Sequence, residues 1–222
     1  KQINVEQTMY AILSNYPTQL TTAKVSLDIN SVGGPKVAKK IVLLSEIGQT
    51  DIYRAVTNNK GIMNGVDSVL VATGNDYRGV EAATAVWANK DGSYTSLSKW
   101  SIANDRLIGT VTIPLAIGVV GGSIKARRDI QQSFNLLGKV SAEQLAEIIA
   151  ATGLANNFSA LLAISTKGIQ AGHMKLQARN LVATLKANED EKAKVLEKLQ
   201  ESKQYTQEAA VRFLDEIRKE KN

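Results

Sequence analysis

Two kinds of apolar spacing divide the chain. Over Lys24-Val25-Ser26-Leu27-Asp28-Ile29 apolar and polar residues alternate, which predicts a strand with one face buried. Val32-Gly33-Gly34-Pro35 follows as a turn, and helical spacing runs from Lys36 to Ile47 until Gly48. Ile52 to Asn59 reads as a helix, Asp67 to Thr73 as helix or buried strand, and Asp76 to Ala88 as a helix again. Strands return between Tyr94 and Leu115, with Ala103-Asn104-Asp105-Arg106 as the hairpin loop. A first helix is expected over Val5 to Leu13, before a turn at Asn15-Tyr16-Pro17.

Beyond Gly118, Gly121 and Gly122 the pattern is helical to the end. Ser141 and Gln144 have the spacing of a capping box, opening a helix that runs through Ala151 and stops at Gly153. Further helices are expected over Ala155–Ser165, Gly168–Ala187, Glu189–Ser202 and Thr206–Glu220. In the last two, Val195, Leu196 and Leu199, then Val211, Leu214 and Ile217, share one face opposite charged residues. That amphipathicity fits a mobile helical lid or a cover for the core. Together the elements make an α+β chain.

Composition narrows the function classes. With 222 residues, 44% of them hydrophobic, the chain is long enough for one or two domains with a real core. The longest apolar run, Leu107 to Val120, is interrupted by Thr110, Thr112 and Pro114, so no membrane span is expected. The chain has no cysteine, which removes disulfides, thiolate nucleophiles and cysteine metal sites. A soluble, cytoplasmic protein is the expectation. Net charge is +6, yet residues 186–222 hold nine basic and nine acidic side chains, so the surplus lies in residues 1–185. Such a field suits a polyanionic small molecule as well as nucleic acid, and the basic residues are not interleaved with stacking aromatics.

Taken singly, the polar residues of interest have ordinary explanations. Lys60 reads as a solvated surface lysine, Asp76 as an N-cap, and His173, the one histidine, as a capping or packing residue. Gly118, Gly121 and Gly122 do not form a dinucleotide fingerprint, and no histidine–carboxylate spacing suggests a metal. On those readings alone, a non-catalytic basic helical module for nucleic acid or an acidic partner remains the rival.

The motifs in order change this. Tyr53-Arg54-Ala55, Asn59-Lys60-Gly61-Ile62-Met63-Asn64-Gly65, Val71-Ala72-Thr73-Gly74-Asn75-Asp76, Val120-Gly121-Gly122, Gly168-Ile169-Gln170-Ala171-Gly172-His173-Met174 and Ala178-Arg179-Asn180 closely resemble the bacterial (class II) 3-hydroxy-3-methylglutaryl-coenzyme A reductases. The resemblance covers nearly the whole chain. It implies Lys60, Asp76 and His173 as catalytic residues, Arg54 and Asn64 as substrate contacts, and Asn15 as a contact to the nicotinamide cofactor, NADPH or NADH. It also implies the end of a small nucleotide-binding domain over residues 1–30, a substrate domain over 31–167 and a C-terminal helical flap over 168–222. A homodimer, hydroxymethylglutaryl-coenzyme A, mevalonate and coenzyme A are the partners it implies, without a metal. The family's catalytic glutamate and its D-A-M-G motif fall in an N-terminal part not present in this chain. The charged run Lys125-Ala126-Arg127-Arg128-Asp129 departs from the family pattern.

Overall fold

A computed structural model describes residue 7 and residues 9–166 and 168–219, for 122–123, 169–173 and 175 by backbone alone. Its elements are strand β1 (Leu20–Asp28), a 3-10 turn (Asn30–Val32), helices α1 (Pro35–Thr50), α2 (Ile52–Ala72) and α3 (Tyr77–Ala88), strands β2 (Ser98–Ala103) and β3 (Arg106–Pro114), then helices α4 (Gly122–Ala126), α5 (Arg128–Leu137), α6 (Ala142–Ser165), α7 (Ile169–Ala183), α8 (Glu189–Ser202) and α9 (Gln207–Lys219). This is an α+β chain with one antiparallel sheet of order β1-β3-β2. It divides into two compact units, Lys1–Leu162 and Ala163–Asn222.

In the first unit β3 is central and the hairpin to β2 turns at Asn104 and Asp105, whose φ of 49° and 55° are those of a two-residue primed turn. The outer edge of β2 is not left open. The Ser45 hydroxyl on α1 accepts the Trp100 N–H, and Gln49 donates to the carbonyls of Ser96 and Ser98. Covering an edge strand in this way satisfies its free backbone groups. Gly48 permits the close approach: a Cβ there would stand 3.3 Å from the Ser96 Cβ. The glycine expected to end α1 therefore lies within it.

The helix expected over Ile52–Asn59 and the ambiguous segment Asp67–Thr73 are one helix, α2, so Lys60 lies mid-helix. Likewise Gly153 does not stop a helix; it lies within α6, which is 24 residues long. Both misreadings have one cause. A Cβ on Gly65 would come within 3.0 Å of the Thr152 carbonyl oxygen and the Asn156 Cβ, and one on Gly153 within 2.9 Å of Val66 Cγ2. These glycines lie where α2 and α6 cross at close range, which outweighs their low helix propensity. α6 is apolar and long enough to span a membrane by composition alone. Its buried Leu145, Ile149, Ala150, Leu154 and Leu161 belong instead to the core with the sheet and α2. The helix expected over Val5–Leu13 does not form across residues 9–13, and residues 5, 6 and 8 lie outside those described. Met9, Tyr10, Ile12 and Leu13 are exposed there, without the packing an amphipathic helix needs.

In the second unit α7, α8 and α9 surround a core of Ala178, Val182, Leu185, Val195, Leu199, Leu214 and Ile217. Asn188 caps α8 in a reciprocal box with Glu191, which Arg218 of α9 also pairs at 3.0 Å.

Candidate active site

Residues 52–76 carry most of the expected site. Lys60 and Asn64 lie one helical turn apart on α2, and both are exposed. Asp76 ends the loop after α2 and caps α3, its Oδ1 accepting the Gly79 N–H at 3.1 Å. The loop itself is fixed by Asn75, which donates to the Thr73 hydroxyl and accepts the Gly118 N–H at 2.8 Å. Among the described residues Lys60 and Asp76 form no ion pair with each other. The capping role of Asp76 and a chemical role are compatible, since the cap uses one carboxylate oxygen.

The other oxygen lies beside Gly79, as does the Asn15 amide. A Cβ on Gly79 would lie 2.8 Å from Asp76 Oδ2 and 2.7 Å from Asn15 Nδ2, so both side chains reach over the same glycine. Ser14, Asn15, Tyr16, Asp76, Gly79 and Val80 border a small cleft of about 90 Å³ there. The family motifs put both residues in one site; that they converge on Gly79, across 61 positions of sequence, is visible only in the fold.

Arg54 is half-buried near the start of α2. Its Nη2 makes one long hydrogen bond, 3.4 Å to Asn58 Oδ1, and its Nε is buried and has no hydrogen-bond partner among the described residues. Burial holds the guanidinium below its ordinary pKa, the sign of a cation stripped of water without a full set of acceptors. Asn58 belongs to a buried polar cluster with Ser96, Ser98, Asn157 and Trp100 that sequence reasoning missed. Its members stand in unrelated segments, and nothing short of packing brings them together.

His173 lies in α7 of the second unit; its side chain is outside the described residues. No cluster of three metal-ligating residues occurs among the described residues.

An α+β chain with a lysine–asparagine helix face, a capping aspartate and an under-paired buried arginine defines a class before it defines a protein. The model of the hydroxymethylglutaryl-coenzyme A reductase family matches residues 1–178, and the chain belongs to that family. It is 42% identical over 188 residues to a 3-hydroxy-3-methylglutaryl-coenzyme A reductase of Archaeoglobus fulgidus, covering 84% of this chain and 43% of that one. A probable 3-hydroxy-3-methylglutaryl-coenzyme A reductase of Borreliella burgdorferi is 38% identical over 219 residues, 94% of this chain and 51% of its own. Among solved structures, the class II enzyme of Streptococcus pneumoniae bound to NADPH in open conformations superposes with a TM-score of 0.68 at 43% identity, covering 92% of this chain and 51% of that one. The chain thus spans about half the length of these relatives.

Proposed function

We propose that this chain supplies the substrate-binding and catalytic residues of a reductase that converts hydroxymethylglutaryl-coenzyme A to mevalonate, or runs the reverse oxidation. The convergence of Asn15 and Asp76 beside Gly79 carries the proposal, because it brings an expected cofactor contact and an expected catalytic aspartate to one point. The NADPH named for the Streptococcus pneumoniae structure supports a nicotinamide dinucleotide as co-substrate. It supplies hydride to the thioester carbonyl carbon, and a second equivalent reduces the resulting aldehyde.

The residues of this chain do the rest. The Lys60 ammonium stabilises the negative charge that hydride addition puts on the carbonyl oxygen. Asp76 supplies the carboxylate of the site, with one of its oxygens engaged in capping α3. When the carbon–sulfur bond breaks, the His173 imidazole gives a proton to the departing coenzyme A thiolate. Arg54 holds the free carboxylate of the substrate with its planar fork, and an acyl-coenzyme A without that carboxylate would leave the guanidinium unpaired. Asn64 orients the lysine or the reacting oxygen. The domain assignment above, a homodimer, a cytoplasmic location and dependence on an N-terminal portion bearing the catalytic glutamate belong to the same proposal.

Mixing the chain with that N-terminal portion, substrate and reduced nicotinamide tests it. The nicotinamide absorbance should fall, and Lys60→Ala should slow that fall by roughly 10²–10³. His173→Gln should impair reduction of the thioester more than of the free aldehyde, since only the thioester expels a thiolate. Equal losses on both substrates, or an active Lys60→Ala enzyme, would remove the assigned roles.

A further inference from the structure

The buried cluster beside Arg54 has a direction. Trp100, 2% exposed, carries an indole N–H that can only donate. It donates at 2.9 Å to Asn157, and the Ser98 hydroxyl donates to the same oxygen at 3.0 Å. That atom must therefore be the amide oxygen, which turns the Asn157 NH₂ group toward Asn58. The 2.8 Å bond from Asn157 Nδ2 then requires an oxygen on the facing atom of Asn58. Arg54, the second obligate donor, reaches that same oxygen with Nη2. On its other side the Asn58 NH₂ group donates to the hydroxyls of Ser96 at 2.6 Å and Ser98 at 3.2 Å, and the Ser96 hydroxyl passes its own proton to the Ser98 carbonyl. Indole at one end and guanidinium at the other leave each amide a single orientation.

The arrangement costs more than an arginine tether would require. Asn58 and Asn157 are 6% and 1% exposed, and polar groups buried that deeply are tolerated only when paired. Every one of these bonds is made, yet the Arg54 end is left incomplete: Arg54 donates one long bond, and its buried Nε none. A network satisfied everywhere except at its cationic end is built to present that cation.

We propose that Asn58 and Asn157 are positioning residues: the Trp100–Asn157–Asn58 relay orients the Arg54 guanidinium so that its outer N–H groups are available to a carboxylate. The inference rests on the proposed role of Arg54 with the substrate carboxylate. It adds that discrimination for that carboxylate originates in the core, from an indole in strand β2. Asn58 gives Arg54 only a neutral acceptor at long range, so the guanidinium is oriented without being neutralised. A carboxylate in place of Asn58 would pair with Arg54 itself and compete with the ligand.

The test compares hydroxymethylglutaryl-coenzyme A with its methyl ester, which lacks the free carboxylate, in the enzyme reconstituted as above. Asn157→Asp keeps shape but cannot donate to Asn58, and Asn58→Asp gives Arg54 an internal anion. Each should raise KM for the free acid about tenfold, the scale of one charge-assisted hydrogen bond, with kcat nearly unchanged and with little effect on the ester. Trp100→Phe, which drops the N–H and keeps an aromatic ring, should shift KM in the same direction. Asn58→Gln, which retains an amide, should restore part of the discrimination. If the Asp variants lower kcat on acid and ester alike, the cluster serves only stability and the inference is overturned. Arg54→Gln separates the two levels. If it leaves the acid-to-ester preference intact, the role of Arg54 fails; if it abolishes the preference while the Asn variants keep it, the relay alone fails.

Discussion

At the scale of single residues, Gly79 shows how a weak sequence signal hides a strong constraint. It sits in the first turn of α3, where alanine would ordinarily stabilise the helix by about 1 kcal/mol. Here a Cβ would displace the ends of two flexible side chains, Asn15 and Asp76, and no backbone. In Gly79→Ala the gain in helix propensity is offset by disturbance of the Asp76 cap, about 1 kcal/mol each, so its melting temperature is expected to change little while turnover falls by about 10²-fold, the effect of ångström-scale misplacement. Thermal melts with steady-state rates check this. Unchanged turnover would mean that the two side chains need not occupy that point. Asp76 makes a related point. The sequence suggested both an N-cap and a catalytic aspartate, and its two oxygens allow the cap to coexist with the proposed chemistry.

At the scale of elements, α2 carries Lys60 and Asn64 outward while Ile62, Met63, Val66 and Leu70 face the core. On the same helix Asp67 lies beside Glu81 of α3, with its Oδ1 buried and without a hydrogen-bond partner among the described residues. Burial first, and then the adjacent Glu81, push Asp67 up to about 7. Below about pH 4 the group is protonated folded and unfolded alike. Between there and about 7 the folded chain keeps a proton that the unfolded chain has released, so stability falls as pH rises, and the dependence ends above 7. Asp67→Asn should flatten that decline, seen as denaturation midpoints that differ less between pH 5 and pH 8 than in the parent. An undiminished decline would assign it to other groups. The strands, α3, α8 and the Ser141–Gln144 box were readable from spacing. The continuity of α2 and α6 was not, because Gly65 and Gly153 signal a break until the opposing helix explains them.

At the scale of the whole molecule there are two cores, and each can be probed by itself. Both tryptophans, Trp87 and Trp100, lie in the first unit, so their fluorescence reports on that core. Leu199 is fully buried in the second. Leu199→Ala should cost that core about 2–5 kcal/mol, read from hydrogen exchange of α8 amides, whereas Val211→Ala, 43% exposed, should change little. Of the apolar face expected on α8 and α9, Val195, Leu199, Leu214 and Ile217 lie in this core and Leu196 packs against it, whereas Val211 is exposed.

Local order along the chain was enough to reveal the helical and strand periods, the caps, and the family motifs holding Lys60, Asp76 and His173, since each depends on neighbours a few positions away. The convergence of Asn15 and Asp76 on Gly79, the glycine crossing of α2 and α6, and the hydrogen-bonded cluster of Trp100, Asn157 and Asn58 were settled only by folding. They join residues tens of positions apart through close contact and hydrogen-bond direction, and neither quantity exists until the segments are packed.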